Sequence, residues 1–206
     1  MKNNQLKTHE PSKRHFLLGL SALIGSAAVS QLATADALAS AFSYDTQADS
    51  ALKKGKLFSQ FEMKILHDIC AVVLPKTDTP SAAELDVHGF LDHQLFTCYD
   101  TKKQQQAVSL VNSINEQSKA NFSKVFTEIS AAQQTELLVA LESQSLGFTE
   151  NDQAQFRAFK SLLVFGYFTT EVGATQALNY QAIPGGFKGS ISYSSLKKSW
   201  GSLGFY

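Results

Sequence analysis

Between Ser59 and Pro75 the apolar residues Phe61, Ile65, Leu66, Ile69, Val72 and Val73 recur at the spacing of one helix face. Ser59 and Glu62 form a capping-box pattern that starts this helix, and Pro75 ends it. A second helix is predicted over 83–99, with Val87, Phe90, Leu91 and Leu95 turned inward. A long polar helix follows from Thr101 to Phe122, carrying a thin apolar stripe of Val108, Val111 and Ile114. Ser130 and Gln133 repeat the capping box ahead of Leu137, Leu138 and Leu141, and Gly147 closes that short helix. The last helix is predicted over 153–170, capped by the polar run 149–152. Gln155, Arg157 and Lys160 wet one side of its first half, whereas 162–168 is apolar on every side, the mark of a segment buried in a core or against a partner. Gly166 in that run would let a neighbouring backbone come close. These periods predict an all-α fold, a single irregular bundle of about five helices.

Both ends lack such a period. From 179 to 206 five glycines alternate with Tyr180, Phe187, Tyr193, Trp200, Phe205 and Tyr206, too aromatic for a simple disordered tail and too irregular for a core of its own. An extended arm that wraps over its own helices or over a second subunit fits that composition, so Tyr180, Phe187, Trp200, Phe205 and Tyr206 are candidate interface residues. At the other end, Lys13 and Arg14 precede Phe16, Leu17 and a diluted apolar run to Val29, and Ala37 and Ala39 stand as Ala-x-Ala. That is the layout of a cleavable export signal, 1–39. The pair Lys13-Arg14 with Phe16-Leu17 is similar to a twin-arginine signal, and a general secretory signal is the second reading. The apolar run is shorter than the roughly 18 residues a membrane span needs. The polar stretch 40–57 is expected to be a flexible leader, 58–178 the helical domain and 179–206 the arm.

Charge removes one class of function. From Ser40 onward 13 Lys and one Arg face 16 Asp and Glu, so 14 − 16 = −2, and the basic stripe from which nucleic-acid binding is argued is missing. Two cysteines, Cys70 and Cys98, are a candidate disulfide in an oxidising compartment, yet on consecutive antiparallel helices they would be offset by on the order of 10 Å, beyond the reach of a bridge. Two separate thiols are the alternative.

Cofactor fingerprints are absent from the sequence. There is no Gly-x-Gly-x-x-Gly, no P-loop, no Cys-x-x-Cys-His, and no Gly-x-Ser-x-Gly elbow. His67, Asp68, His88, Asp92 and His93 could converge if the first two helices pack, but His88 and His93 are five apart and occupy different helix faces, unlike an i, i+4 zinc pair. Glu171 follows the apolar run with no base or nucleophile beside it. No catalytic, cofactor or metal residue is assigned.

Three stretches together resemble the gluconate 2-dehydrogenase subunit 3 family: the Lys13-Arg14 signal, the loop Leu74-Pro75-Lys76-Thr77-Asp78-Thr79-Pro80-Ser81-Ala82, and Gly166-Tyr167-Phe168-Thr169-Thr170-Glu171-Val172-Gly173-Ala174 with Tyr180 and Ile183-Pro184-Gly185 after it. Ser81 stands where the family pattern has glycine, and Lys13 where it has arginine. The resemblance covers essentially the whole chain after the signal. It implies a non-catalytic, periplasmic small subunit that accompanies an FAD-bearing flavoprotein of the glucose-methanol-choline (GMC) type. A multihaem cytochrome c would carry electrons away, and the export machinery would read the small subunit's signal on behalf of both. FAD and haem would then sit in partner subunits, and the complex could be associated with the cytoplasmic membrane. On this reading Thr77, Asp78, Thr79, Pro80, Tyr167, Phe168 and Glu171 join the interface. The rival is a free-standing periplasmic helical protein, metal-dependent through His67, His88 and His93.

Overall fold

The computed structural model describes residues 44–179 together with 190, 192, 194 and 198. Among them there is no β-strand, and five α-helices make up the body: α1 (Gln60–Val73), α2 (Val87–Cys98), α3 (Thr101–Phe122), α4 (Ala131–Glu142) and α5 (Glu150–Thr169). The all-α bundle expected from periodicity is therefore the fold. No described helix is long and apolar enough to cross a membrane.

Local chemistry sets the boundaries. At Ser59 and at Ser130 the serine side chain accepts the backbone N–H three residues on, while Glu62 and Gln133 reach back to the cap, two orphan donors satisfied at each start. Thr149 and Asp152 do the same for α5, so that helix begins three residues before the predicted 153. Leu74, before Pro75, leaves the helical region at φ −127°, as proline demands of the residue preceding it. The second helix starts at 87 rather than 83 because Asp86 adopts a left-handed backbone, φ 55°, which a short polar side chain tolerates.

Helices α1 and α5 each pack against α2, α3 and α4, so two helices that never pair extensively with each other hold the other three together. The core lies between them: Ile65, Leu66, Ile69, Leu91, Leu110, Ile114, Leu137, Leu141, Phe156 and Leu163 are buried. Phe61, counted as an inward position, is 42% exposed, and Met63 fills the core in its place. Where α2 crosses α5, a Cβ on Gly166 would lie 2.6 Å from Cδ1 of Phe90 and 3.2 Å from Val87, so the glycine admits side chains of α2 rather than a backbone. The all-apolar half of α5 is not wholly enclosed. Leu163 and Tyr167 are buried, but Leu162, Val164, Phe165 and Phe168 are only half-buried.

The largest departure from expectation is the leader. Residues 44–58 lie across α1 and α2, with a 3-10 turn at Ser50–Leu52 and Phe58 fully buried in the core. Two carboxylates of α2's first turns fasten this strap. Asp86 accepts from the Tyr44 hydroxyl at 2.6 Å, from the Gln47 N–H at 2.6 Å and from the Ser50 hydroxyl. Asp92 accepts the N–H groups of Lys56, Leu57 and Phe58 at 2.6, 2.9 and 3.0 Å. A polar segment without period reads as a flexible leader from sequence, because its order comes from acceptors some 35 residues away.

Candidate functional site

The connector between α1 and α2 is a built loop. The Ala82 N–H donates to the Leu74 carbonyl at 3.0 Å and closes it, and the Thr77 N–H donates to the Thr79 carbonyl at 3.0 Å inside it. Ser81 caps the turn that follows. Its N–H donates to Glu84 Oε2 at 2.8 Å, and its hydroxyl accepts the Glu84 N–H at 3.2 Å. Lys76 donates to the other oxygen of Glu84 at 2.9 Å, and that bond, with the Ser81 N–H next, lowers the Glu84 carboxyl from its ordinary range.

The far end of α5 meets this loop directly. The Tyr167 hydroxyl donates to the Pro80 carbonyl at 3.1 Å and lies 2.8 Å from Thr79 Oγ1. A phenol has one hydrogen, so the Thr79 hydroxyl donates to Tyr167. Two stretches 87 and 88 residues apart are thus one unit. Tyr167 itself is 5% exposed: it supports the loop from beneath, while Thr77, Asp78 and Glu171 face solvent and Thr79, Pro80 and Phe168 are half-buried at the edge. Phe168 stands edge-on to Tyr167, ring centroids 5.2 Å apart.

After Thr169 the chain turns. The Thr170 hydroxyl donates to the Tyr167 carbonyl at 2.7 Å and accepts the Gly173 N–H at 3.0 Å, starting the wide turn Gly173–Ala177. A Cβ on Gly173 would sit 2.1 Å from the Tyr167 carbonyl oxygen, so only glycine allows the chain to fold back here. Lys198 then donates to the Gln176 carbonyl, and its own carbonyl accepts from the Asn179 amide, bringing this residue of the arm back beside the turn. The remaining arm candidates, Tyr180, Phe187, Trp200, Phe205 and Tyr206, lie outside the described residues. So do the signal residues Lys13, Arg14, Phe16, Leu17, Ala37 and Ala39.

The histidines do not converge on one point. His67 and His88 meet edge to face, centroids 5.1 Å apart, but His93 lies with the Tyr44 ring and with Lys56, whose ammonium is 2.9 Å from its Nδ1. Among the described residues no group of three or more His, Cys, Asp or Glu is placed to hold a metal ion. His67 Nδ1 is 2.9 Å from Asp68, and His88 Nε2 is 2.7 Å from the Ser50 hydroxyl. That serine was not singled out from sequence, since nothing local marks Ser50 as buried. Serine, histidine and Asp86 do not form a nucleophilic triad. Ser50 and Asp86 both lie on the Nε2 side of His88, whereas a triad needs the carboxylate on the opposite nitrogen. The proposed Cys70–Cys98 bridge is not made: Cys70 points into the core of α1 and its thiol is raised by burial, while Cys98 ends α2 at the half-buried surface. Beside the strap, Tyr44, Lys53, Lys54, Lys56 and His93 line an open cleft of about 360 Å³.

Residues 60–185 match the family model described as gluconate 2-dehydrogenase subunit 3, a span that contains both the loop and the Tyr167 to Gly173 turn. No curated protein and no solved structure matches the chain.

Proposed function

The chain belongs to the gluconate 2-dehydrogenase subunit 3 family, a family of dehydrogenase-complex subunits, and on that premise we propose that it is the non-catalytic small subunit of a periplasmic sugar or sugar-acid dehydrogenase. In this role it binds an FAD-bearing flavoprotein, escorts it folded through export by means of residues 1–39, and stabilises it afterwards. Electrons would pass from the flavoprotein to a cytochrome partner and not through this chain. The observation that carries the reading is the unit formed by Thr79, Pro80 and Tyr167. A buried tyrosine braces a doubly proline-bounded loop so that Thr77 and Asp78, with Glu171 on the same α5 end, are held toward solvent. Fixing polar groups in a surface loop lowers the entropy a partner must remove on binding.

Co-expression with the flavoprotein tests both halves. Deleting residues 1–39 is expected to leave the flavoprotein in the cytoplasm, and undiminished export would defeat the escort role. Reversing charge with Asp78→Arg and Glu171→Arg is expected to weaken co-purification about tenfold, the scale of a displaced charge contact. Unchanged co-purification would move the interface elsewhere, and truncation after Asn179 then asks whether the arm carries it. The rival, a free-standing metal-dependent enzyme, predicts stoichiometric metal and turnover by the isolated chain.

A further inference from the structure

We propose that residues 44–52 form an acid-releasable strap, held on α1 and α2 at neutral pH and let go when His88 takes up a second proton. The hydrogen-bond pattern fixes the neutral state. Ser50 has one hydroxyl hydrogen and donates it to Asp86, so the bond between Ser50 and His88 must be donated by His88 Nε2. The lone pair of neutral His88 is therefore on Nδ1, which is buried and has no hydrogen-bond partner among the described residues. A second proton would have to go there, placing an N–H without an acceptor and a positive charge in a site 4% exposed.

The groups facing His88 decide which way the strap responds. Asp86 on its own helix, 3.4 Å from Nε2, and Asp68 on α1 favour the charged ring, while burial and the neighbouring His67 oppose it. The Cys70 thiol of α1 and the Tyr44 phenol of the strap both stand beside Asp86, and each is held protonated chiefly by burial. Helix α5 meets α2 through Gly166 and Phe165, which carry no charge. Burial wins, and His88 is lowered from 6.5 to about 4. Lifting the strap removes the cover, hydrates the ring and restores its ordinary affinity for protons, so acid favours the lifted state. Room for docking is equally specific. A Cβ on Gly89 would lie 2.0 Å from the Tyr44 hydroxyl, so the strap fits only over a glycine. Residues 56–58 are held separately by Asp92 and should stay. Release would free residues 44–52, roughly 30 Å of extended chain.

Amide hydrogen exchange on the full chain, followed by NMR with the intrinsic pH dependence divided out, tests this. Between about pH 7.5 and pH 5 the protection of the Gln47 amide is expected to fall about thirtyfold, from a level that stays well below that of the Phe58 and Ile69 amides at both pH values. In His88→Gln the fall should vanish. Constant protection at Gln47 would overturn the proposal, as would protection at Gln47 equal to that of Phe58 and Ile69 at both pH values, which is opening only by global unfolding. A slope that persists in His88→Gln would assign the titration to another group and overturn it too. The contrast between Gln47 and Phe58 in the unaltered chain decides the matter should that variant not fold.

Discussion

Asp92 shows how much one side chain can organise. Its two oxygens take three consecutive backbone N–H groups, which would otherwise be stranded where the chain enters the core at Phe58. In Asp92→Asn the amide NH₂ confronts a donor and the charge is lost, for an expected loss of about 2 to 3 kcal/mol in urea denaturation. Tyr167→Phe removes a single neutral hydroxyl from the Thr79 and Pro80 pair, so a smaller loss, about 1 kcal/mol, is expected, with the helices intact by circular dichroism. Gly166→Ala sets two effects against each other. Alanine favours a helix interior by about 1 kcal/mol, but its Cβ would press on the buried Phe90 ring, an overpacking cost of roughly 1 to 3 kcal/mol. Net destabilisation of about 1 kcal/mol is expected, and a rise in the urea midpoint would show that the ring yields freely.

Helix starts were the most legible elements, because a capping box is a local interaction between residues three apart. Ser59 with Glu62 and Ser130 with Gln133 were identified from sequence and are both present. Thr149→Ala breaks the equivalent box on α5 and should lower the unfolding free energy measured in urea by about 1 kcal/mol, since the helix behind it is already held by Phe156, Phe159 and Leu163. The strap and the loop were not legible in the same way. Tyr44, Ser50 and Phe58 sit in a polar run, and only their partners on α2 and in the core give them order. The family motifs marked the loop and the α5 end as important, but not that Tyr167 joins them.

For the whole molecule, His88 couples stability to pH. Its folded-state affinity for protons is depressed, so its contribution is fully present above pH 6.5 and is lost as pH falls from there toward 4. Each pH unit in that window removes up to about 1.4 kcal/mol, about 2 kcal/mol by pH 5. Urea midpoints measured at pH 7 and pH 5 should show this loss, levelling off once the strap lifts. His88→Gln should flatten the dependence.

Sequence alone determined what depends on neighbours within a turn or two: five helices, most of their ends, and the apolar faces of α2 and α3 that became core. It also carried the resemblance to a family that the match over residues 60–185 bears out. Tertiary structure decided what depends on separation along the chain being erased. In the sequence Asp92 stands only among the histidines of one cluster and nothing marks Asp86, whereas in the fold the two carboxylates receive six donors from up to 42 residues away. His88 became a proton-sensitive group only when Ser50 covered it. Burial and hydrogen-bond satisfaction are properties of the packed chain, and no local pattern encodes which distant donor an acceptor will meet.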